Sequence, residues 1–540
     1  MSLTKATNIM IQGAPVNVLD YGADPTGATD STAAIQAALN LGGEILFPRG
    51  TYLVDYLTTP VTVTVRGESN LLSIIKRKDN STINKDLFVN TADVRVEIYN
   101  LQFDGNKANN TGTPANYQSG IALAAGSGVI EGCYLKDFNN NAIITGGEDR
   151  YFTTNTAEAY DIQIRNNKID QGTDTAKGLG DCIRPVRTRN LLIHGNVCLN
   201  GFSSIRTNYY NKNVIISDNY CYGAVSDVGI TAGIGSDYTI INNQCIGALG
   251  QHGIEIAGTQ RVTCIGNICK DNARDGILLD IYGPPVGANY AGYVDDVAFI
   301  TNPTTLSPTD CIVSNNILLG NSGYGLREIS GLRCVYTDNI FRANILGSAV
   351  LEASQYPTVS NNVFLTGGLQ WSSYQFNATA FGNRFVEAQN LTRLPAYGAP
   401  VNVTERTNNI SAWSAVANGS LIRDQGNTVY FIDNAVNGSV YANSIDITGV
   451  KGTFILETEY RSDIDASTFG LSVELYLGGV FVATIINNTG SALSSSYTKF
   501  AINSDTSAYA VDSAFDSIRV TYTALAGQTN DVYVKYLNIY

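Results

Sequence analysis

Glu255 and Asp280 are the residues of this sequence whose types and spacing best suit paired acid and base chemistry. Breaking a glycosidic bond needs one carboxylic acid to protonate the leaving oxygen. It also needs a second carboxylate to act as base or nucleophile. Asp275 is close enough in sequence to replace either partner. Around these acids stand Asp181, Arg184, Arg206, His252 and Arg327, which suit hydroxyls and charged groups, and Tyr209, Tyr282, Tyr290 and Tyr293, whose rings can stack on sugars. A competing reading makes each acid a solvated surface charge or an ion-pair partner of Arg206 or Arg327.

What brings such distant residues together is a repeat. Asn167, Asn196, Asn219, Asn243, Asn267, Asn316, Asn339, Asn362 and Asn383 recur at one phase, most of them 21 to 24 residues apart. That period is one coil of a parallel β-solenoid. Apolar pairs such as Leu191/Ile193, Val214/Ile216 and Val262/Cys264 precede the asparagines by five and three residues, the period of a strand with one buried face. Another apolar column, from Ile169 through Cys198, Cys221, Cys245 and Cys269 to Phe385, follows them by two. These offsets cannot belong to one alternation, so the strand bends at or beside the asparagine. Asn tolerates the left-handed backbone of a corner and can bond the equivalent amide one coil away. Asn100 and Cys133 are expected to hold the same corner in the earlier coils.

A second alignment, on Ile183, Ile205, Ile230, Ile254, Ile277, Leu326 and Val350, gives the outward column Arg184, Arg206, Thr231, Glu255, Leu278, Arg327 and Leu351. Two residues further on, Asp280 is again outward, and two residues before the apolar position come Asp181, His252, Asp275 and Tyr324. Glu328 and Glu352 are read as inward. One coil step of about 4.8 Å and two residues of about 3.3 Å separate the Glu255 and Asp280 backbones by roughly 8 Å, the wider spacing of an inverting pair. Two insertions flank this face, 170–180 and roughly 283–308, and loops inserted into a repetitive body usually carry binding or lid roles.

The segment from Val16 to Val54 holds a strand, an Asp24-Pro25-Thr26-Gly27 turn, a helix with Ile35 and Leu39 on one face, and a Gly42-Gly43 stop. Asp30 or Ser31 is placed to cap the helix. This segment resembles the N-terminal capping motif of the pectate-lyase-like right-handed β-helix proteins, phage tailspikes among them. The wording from Gly13 to Val18 is especially similar to tailspikes. The resemblance implies an all-β chain, a right-handed parallel β-helix with a short helical cap. It also implies a homotrimer that attaches through an N-terminal region to other phage tail proteins, in a virion that acts at the host cell surface. Proteins of this kind bind and cleave bacterial surface polysaccharide, capsule or O-antigen, in a groove within one protomer or between protomers.

The domain boundaries read from the sequence are a stub at 1–16, the capped helix at 17–390, a Pro-containing connector at 391–409, and 410–540. The last segment alternates strands and turns without the Asn column, as in an antiparallel β-sandwich, and the tailspike resemblance implies that such a domain helps trimerisation or binds glycans. A net charge of −13 argues against a nucleic-acid partner. No signal-peptide pattern and no apolar run of about 18 residues occur, so membrane insertion and classical secretion are not expected. The nine cysteines include no C-x-x-C pair, and His194 and His252 complete no zinc pattern. Free, buried thiols and neither a metal nor a cofactor are expected. Three further functional readings stay open: a polysaccharide lyase using Arg184, Arg206 or His252, a non-catalytic adhesin, and a virion spacer.

Overall fold

The computed structural model describes residues 14–385, save 83, 111–117, 147–157, 175–178, 283–305, 353 and 373–378, and after these the strands between 413 and 539. Tyr290, Tyr293, the connector and most of both the stub and the 283–308 insertion therefore lie outside the described residues. By contacts the chain divides into Met1–Ser372 with Arg384–Gln389, and Ser373–Asn383 with Asn390–Tyr540.

The first unit is a right-handed parallel β-helix of three long sheets. Two sheets have 14 strands and the third has 12, and each strand pairs with its equivalent one coil earlier and later. In a typical coil Thr188–His194 belongs to the first sheet, Val197–Leu199 to the second and Ile205–Thr207 to the third. The inward columns read from the sequence hold. Cys198, Cys221, Cys245 and Cys269 are register partners, buried and free. A thiol at this position is a small hydrophobe that fits the step between coils. Burial also pushes the thiol of Cys133, two residues before that column at the ladder corner, up to about 12.

Each asparagine of the repeat is used in full. The Oδ1 of Asn243 accepts both the backbone N–H and the Nδ2 of Asn219, at 3.0 and 2.9 Å. Its own Nδ2 donates to Ile216 O at 2.8 Å and to Asn267 Oδ1 at 3.0 Å. The same pattern runs from Asn167 to Asn362. It starts at Cys133, whose N–H donates to Asn167 Oδ1 at 2.9 Å.

Two details differ from the sequence expectation. The left-handed residue is the one before the asparagine: Asn166, Gly195, Asp218, Asn242, Gly266, Asn315, Asp338 and Asn361 all have φ between 55° and 68°. This frees the ladder amide for its neighbours instead of spending it on the corner. Asn100 belongs to that left-handed column, with φ 54°, because Tyr99 pairs with Glu131, and it does not stand at the ladder position. A second, shorter ladder of Asn272, Asn321 and Asn344 lies where the second sheet turns toward the third, with Nδ2 to Oδ1 distances of 2.8 Å.

The open N-terminal end is closed by helix α1, Thr32–Leu39, whose Ile35, Ala38 and Leu39 are fully buried. Asp30 rather than Ser31 caps it, accepting Thr32 N at 2.9 Å, while the Ser31 hydroxyl takes Asp24 N at 2.9 Å. The turn before it is organised by the Asp24 carboxylate, which accepts the N–H groups of Thr26, Ala28 and Thr29.

In the second unit the antiparallel strands form a five-stranded and a three-stranded sheet, besides a two-stranded pair. The longest hairpin joins Thr468–Leu477 to Val480–Ala492, and the three-stranded sheet centres on Phe454–Ser462. These are the strands of the expected sandwich.

Candidate active site

The face of interest is the outward side of the third sheet, built from β1 (Ile183–Pro185), β2 (Ile205–Thr207), β3 (Ile230–Gly233), β4 (Ile254–Ala257), β5 (Ile277–Asp280), β6 (Tyr324–Ile329) and β7 (Gly347–Glu352). Their inward residues are isoleucines and leucines that are fully buried, so the alternation turns the next residue outward. Register pairs Arg206 with Thr231, Thr231 with Glu255, Glu255 with Leu278, and Leu278 with Arg327, as the sequence alignment has them. Ala257 pairs with Asp280, so Asp280 stands one coil on and two residues along from Glu255, on the same side.

The alignment slips at β7. Leu326 pairs with Ala349, not Val350, so Leu351 is buried and Glu352 faces outward. There Glu352 takes Arg327 Nε at 3.0 Å. The expected inward position of Glu328 is correct: it is fully buried, and Tyr336 OH donates to its Oε2.

Asp181, His252 and Asp275 require a larger correction. They are 2, 3 and 3% exposed, so none presents its side chain to a ligand on this face. Each accepts the backbone N–H of the equivalent residue one coil later. Asp181 Oδ1 takes Ser203 N at 3.0 Å, His252 Nδ1 takes Asp275 N at 3.1 Å, and Asp275 Oδ1 takes Tyr324 N at 2.6 Å. Earlier in the chain Asp86 does this for Ser119 and Asn141 for Asp181. The column is thus a corner ladder of mixed residue types, and its changing identity hid the repeat from sequence inspection. His252 Nδ1 also lies 3.2 Å from Asp275 Oδ2, which commits the ring to the corner.

On the outward side the carboxylates stand among cations. Burial pushes Glu255 up, Asp227 and Asp280 add to the rise, and His252 and Arg206 oppose it. Burial likewise raises Asp280, opposed by the Ile281 N–H, donating at 2.7 Å, and by Arg327 and His252. Burial weighs against the charge of Arg206, but Asp181, Asp227, Tyr209 and Tyr282 outweigh it and hold the guanidinium charged. Arg184 stands in the same column, its Nε 4.0 Å from Asp181 Oδ2.

Asp227 escaped the sequence reading. It lies 3.7 Å from Arg206 Nε and accepts Ser203 Oγ and Gln251 Nε2, both at 3.0 Å. It falls three residues before the apolar column, at a phase that no strand pattern singles out. Tyr209 and Tyr282 meet through their hydroxyls at 2.7 Å, with ring centroids 5.6 Å apart. Tyr282 and Leu306 form an antiparallel bridge at the base of the second insertion. That bridge packs over Gly258, where a Cβ would lie 2.9 Å from Leu306 Cβ. Among the described residues no group of three or more His, Cys, Asp or Glu side chains is arranged to hold a metal ion.

A family model described as rhamnogalacturonase A/epimerase, pectate lyase-like, matches residues 15–203. The SPbeta prophage-derived uncharacterized protein YomE of Bacillus subtilis (strain 168) is 26% identical over 267 residues, 39% of this chain, and the match spans 40% of that relative's length. Among solved structures, the A-module of the mannuronan C-5 epimerase AlgE4 of Azotobacter vinelandii aligns with a TM-score of 0.45 at 18% identity, over 71% of this chain and 100% of that one. The enzymatically active domain of bacteriophage CBA120 tailspike protein 4 aligns with a TM-score of 0.32 at 11% identity, over 98% of this chain and 68% of that one. Residues 15–203 are thus similar to a pectate-lyase-like family model, and the fold is the parallel β-helix.

Proposed function

We propose that this chain is a phage tailspike depolymerase that binds bacterial surface polysaccharide on the outward face of the third sheet and cleaves it by glycoside hydrolysis. The observation that carries the reading is the Glu255 and Asp280 pair, on adjacent coils two residues apart along the strand and both raised by burial. Burial favours the protonated form of a carboxyl, which suits it to deliver a proton to a leaving oxygen. Glu255, the more enclosed of the two, takes the acid role. Asp280 is partly exposed and has an N–H and Arg327 favouring its anion, so it takes the base role and activates water. Arg206 and Arg327 hold the charged groups on either side, and Tyr209 and Tyr282 offer rings for a sugar. Asp275 has no part in this reaction, because its carboxylate is spent on the corner. The resemblance of the capping segment to phage tailspikes supports a place in a virion and a trimeric assembly, and a relative derived from a prophage supports the phage origin.

The test is incubation with a panel of bacterial capsules and lipopolysaccharides, followed by mass spectrometry of released fragments. Saturated oligosaccharides are expected. Products with an unsaturated end that absorbs in the ultraviolet would replace hydrolysis by β-elimination, and tight binding with no fragments would make the chain an adhesin.

A further inference from the structure

The outward faces of the first and second sheets change character along the chain. In the early coils they carry ion pairs. Arg66 meets Glu44 at 3.2 Å and Arg165 meets Glu131 at 2.9 Å on the first sheet, and Lys136 meets Asp104 at 3.1 Å on the second. From the coil of Leu192 to that of Val363 apolar side chains replace them. Register carries four outward columns through these coils, starting at Leu192, His194, Val197 and Leu199. Lys270 and Arg342 are the only lysine, arginine or acidic residues in them. Val197, Ile215, Tyr222, Ile312, Ile317 and Ile340 are left 36 to 48% exposed, and Ile241, Ile246, Ile265 and Ile268 are partly exposed in the two coils between. Ion pairs reappear at the starting edge of the first sheet, where Arg261 meets Asp237 and Arg333 meets Asp310, both at 2.6 Å. An apolar centre with a charged rim is the anatomy of a protein interface.

The size of the face and its repeat say what covers it. Seven coils about 4.8 Å apart, each offering about eight residues of about 3.3 Å, make a face on the order of 700 Å². That exceeds the largest apolar patch of an ordinary monomer, about 300–600 Å², and approaches the roughly 800 Å² that each partner gives to a standard interface. A partner that fits such columns over seven coils must repeat at the coil spacing, and a parallel second copy does. The left-handed residues at the corner, with φ between 55° and 68°, set the two apolar faces on either side of one edge. A wedge of this kind is covered on both sides when copies close into a ring around that edge.

We propose that this wedge is the contact surface between copies of this chain, packed side by side and parallel, the first-sheet face of one against the second-sheet face of the next. The third-sheet face with Glu255 and Asp280 stays outside the contact and open to a polymer. Closure at three copies rests on the tailspike reading; the choice of face does not.

The test uses the full chain. Sedimentation velocity counts the copies, and carbene footprinting measures how far each side chain is modified relative to the same residue in the denatured chain. A multimer is expected, with Ile215, Tyr222, Ile312 and Ile317 modified about tenfold less than Leu71 and Leu72, exposed leucines outside the face. Ile317→Lys with Ile340→Lys puts unpaired charges into the contact, so modification of Ile215 and Tyr222 should rise about tenfold, to the level of Leu71. Leu71→Lys with Leu72→Lys should leave it unchanged. Circular dichroism melts establish that both variants fold, and if the face variant does not, the footprint of the unaltered chain decides. A multimer whose face is modified as readily as Leu71 overturns the proposal and leaves the trimeric reading intact, as does a footprint that the face variant does not move. Protection in a multimer of another number upholds the face and removes the trimer. A monomer overturns both; if its face is protected, another segment of this chain covers it.

Discussion

At the corner between the first and second sheets, Asn167 to Asn362 place the same amide in successive coils, and the donors and acceptors of each link join those of the next. On the outward side of the third sheet, Arg206, Thr231, Glu255, Leu278 and Arg327 hold one position with four side-chain types. There Thr231 and Arg206 keep hydrogen-bonding capacity that the chain does not use. The first region spends its polar atoms on stacking and the second holds them back. A solenoid lets both occur in one coil because its stability comes from repeated neighbour contacts, so a single face can vary while the others keep the register.

The strongest way to break this contrast is to damage the ladder. Asn243→Ala removes the acceptor of two Asn219 donors and the donor to Ile216 O, and each group left buried and unpaired costs about 1–3 kcal/mol. The expected loss is about 3 kcal/mol or more by denaturant unfolding. A loss no greater than that of an exposed-loop substitution would mean that the ladder is incidental to stability.

Asp275 sharpens the boundary between the two regions, since the sequence places it with the chemistry and the structure places it with the scaffold. Asp275→Ala is expected to cost about 1–3 kcal/mol by stranding the Tyr324 N–H, whereas Asp275→Asn keeps an oxygen acceptor and should cost far less. Glycan cleavage by the folded Asp275→Asn protein should stay within a few-fold of the parent. A hundredfold fall at unchanged stability would return Asp275 to the reaction.

Glu328 gives a smaller, pH-dependent effect. Burial raises its pKa in the folded protein above that of the unfolded chain, so the folded state binds the proton more tightly. Its contribution is complete below the unfolded pKa of about 4.3 and declines as pH rises toward the folded value, by at most about 1.4 kcal/mol per pH unit. Melting temperature should therefore slope downward with pH across that window, and Glu328→Gln should flatten the slope. An unchanged slope in the variant would assign the dependence to other groups. The smallest effect is expected at the stacked thiols. Cys198, Cys221, Cys245 and Cys269 should resist labelling in the native protein and all react after denaturation, and rapid native labelling would contradict the register.

The sequence made the fold legible because the asparagine and the apolar columns repeat with one identity in coil after coil. Where identity changes from coil to coil, legibility stopped. The corner acceptors Asp86, Asn141, Asp181, His252 and Asp275 perform one task with three residue types, and three of them were therefore read as ligand-facing. The one-residue slip at Ala349 came from two adjacent apolar residues with nothing to choose between them, and it hid Glu352 beside Arg327. Glu255, Asp280, Arg206 and Arg327 were placed correctly because each follows a well-defined inward residue. Asp227 belongs to the bend before a strand, where side-chain direction has no period to reveal it.

The central claim is that the third-sheet face carries out acid and base chemistry with Glu255 and Asp280. The most direct measurement is kcat/KM for Glu255→Gln and Asp280→Asn on the polysaccharide that the unaltered protein cleaves, with melting temperature recorded for each. A fall on the order of a hundredfold or more in both, at unchanged stability, is the predicted result. Near-normal cleavage by both variants would contradict the claim and move the reaction to another face of the molecule.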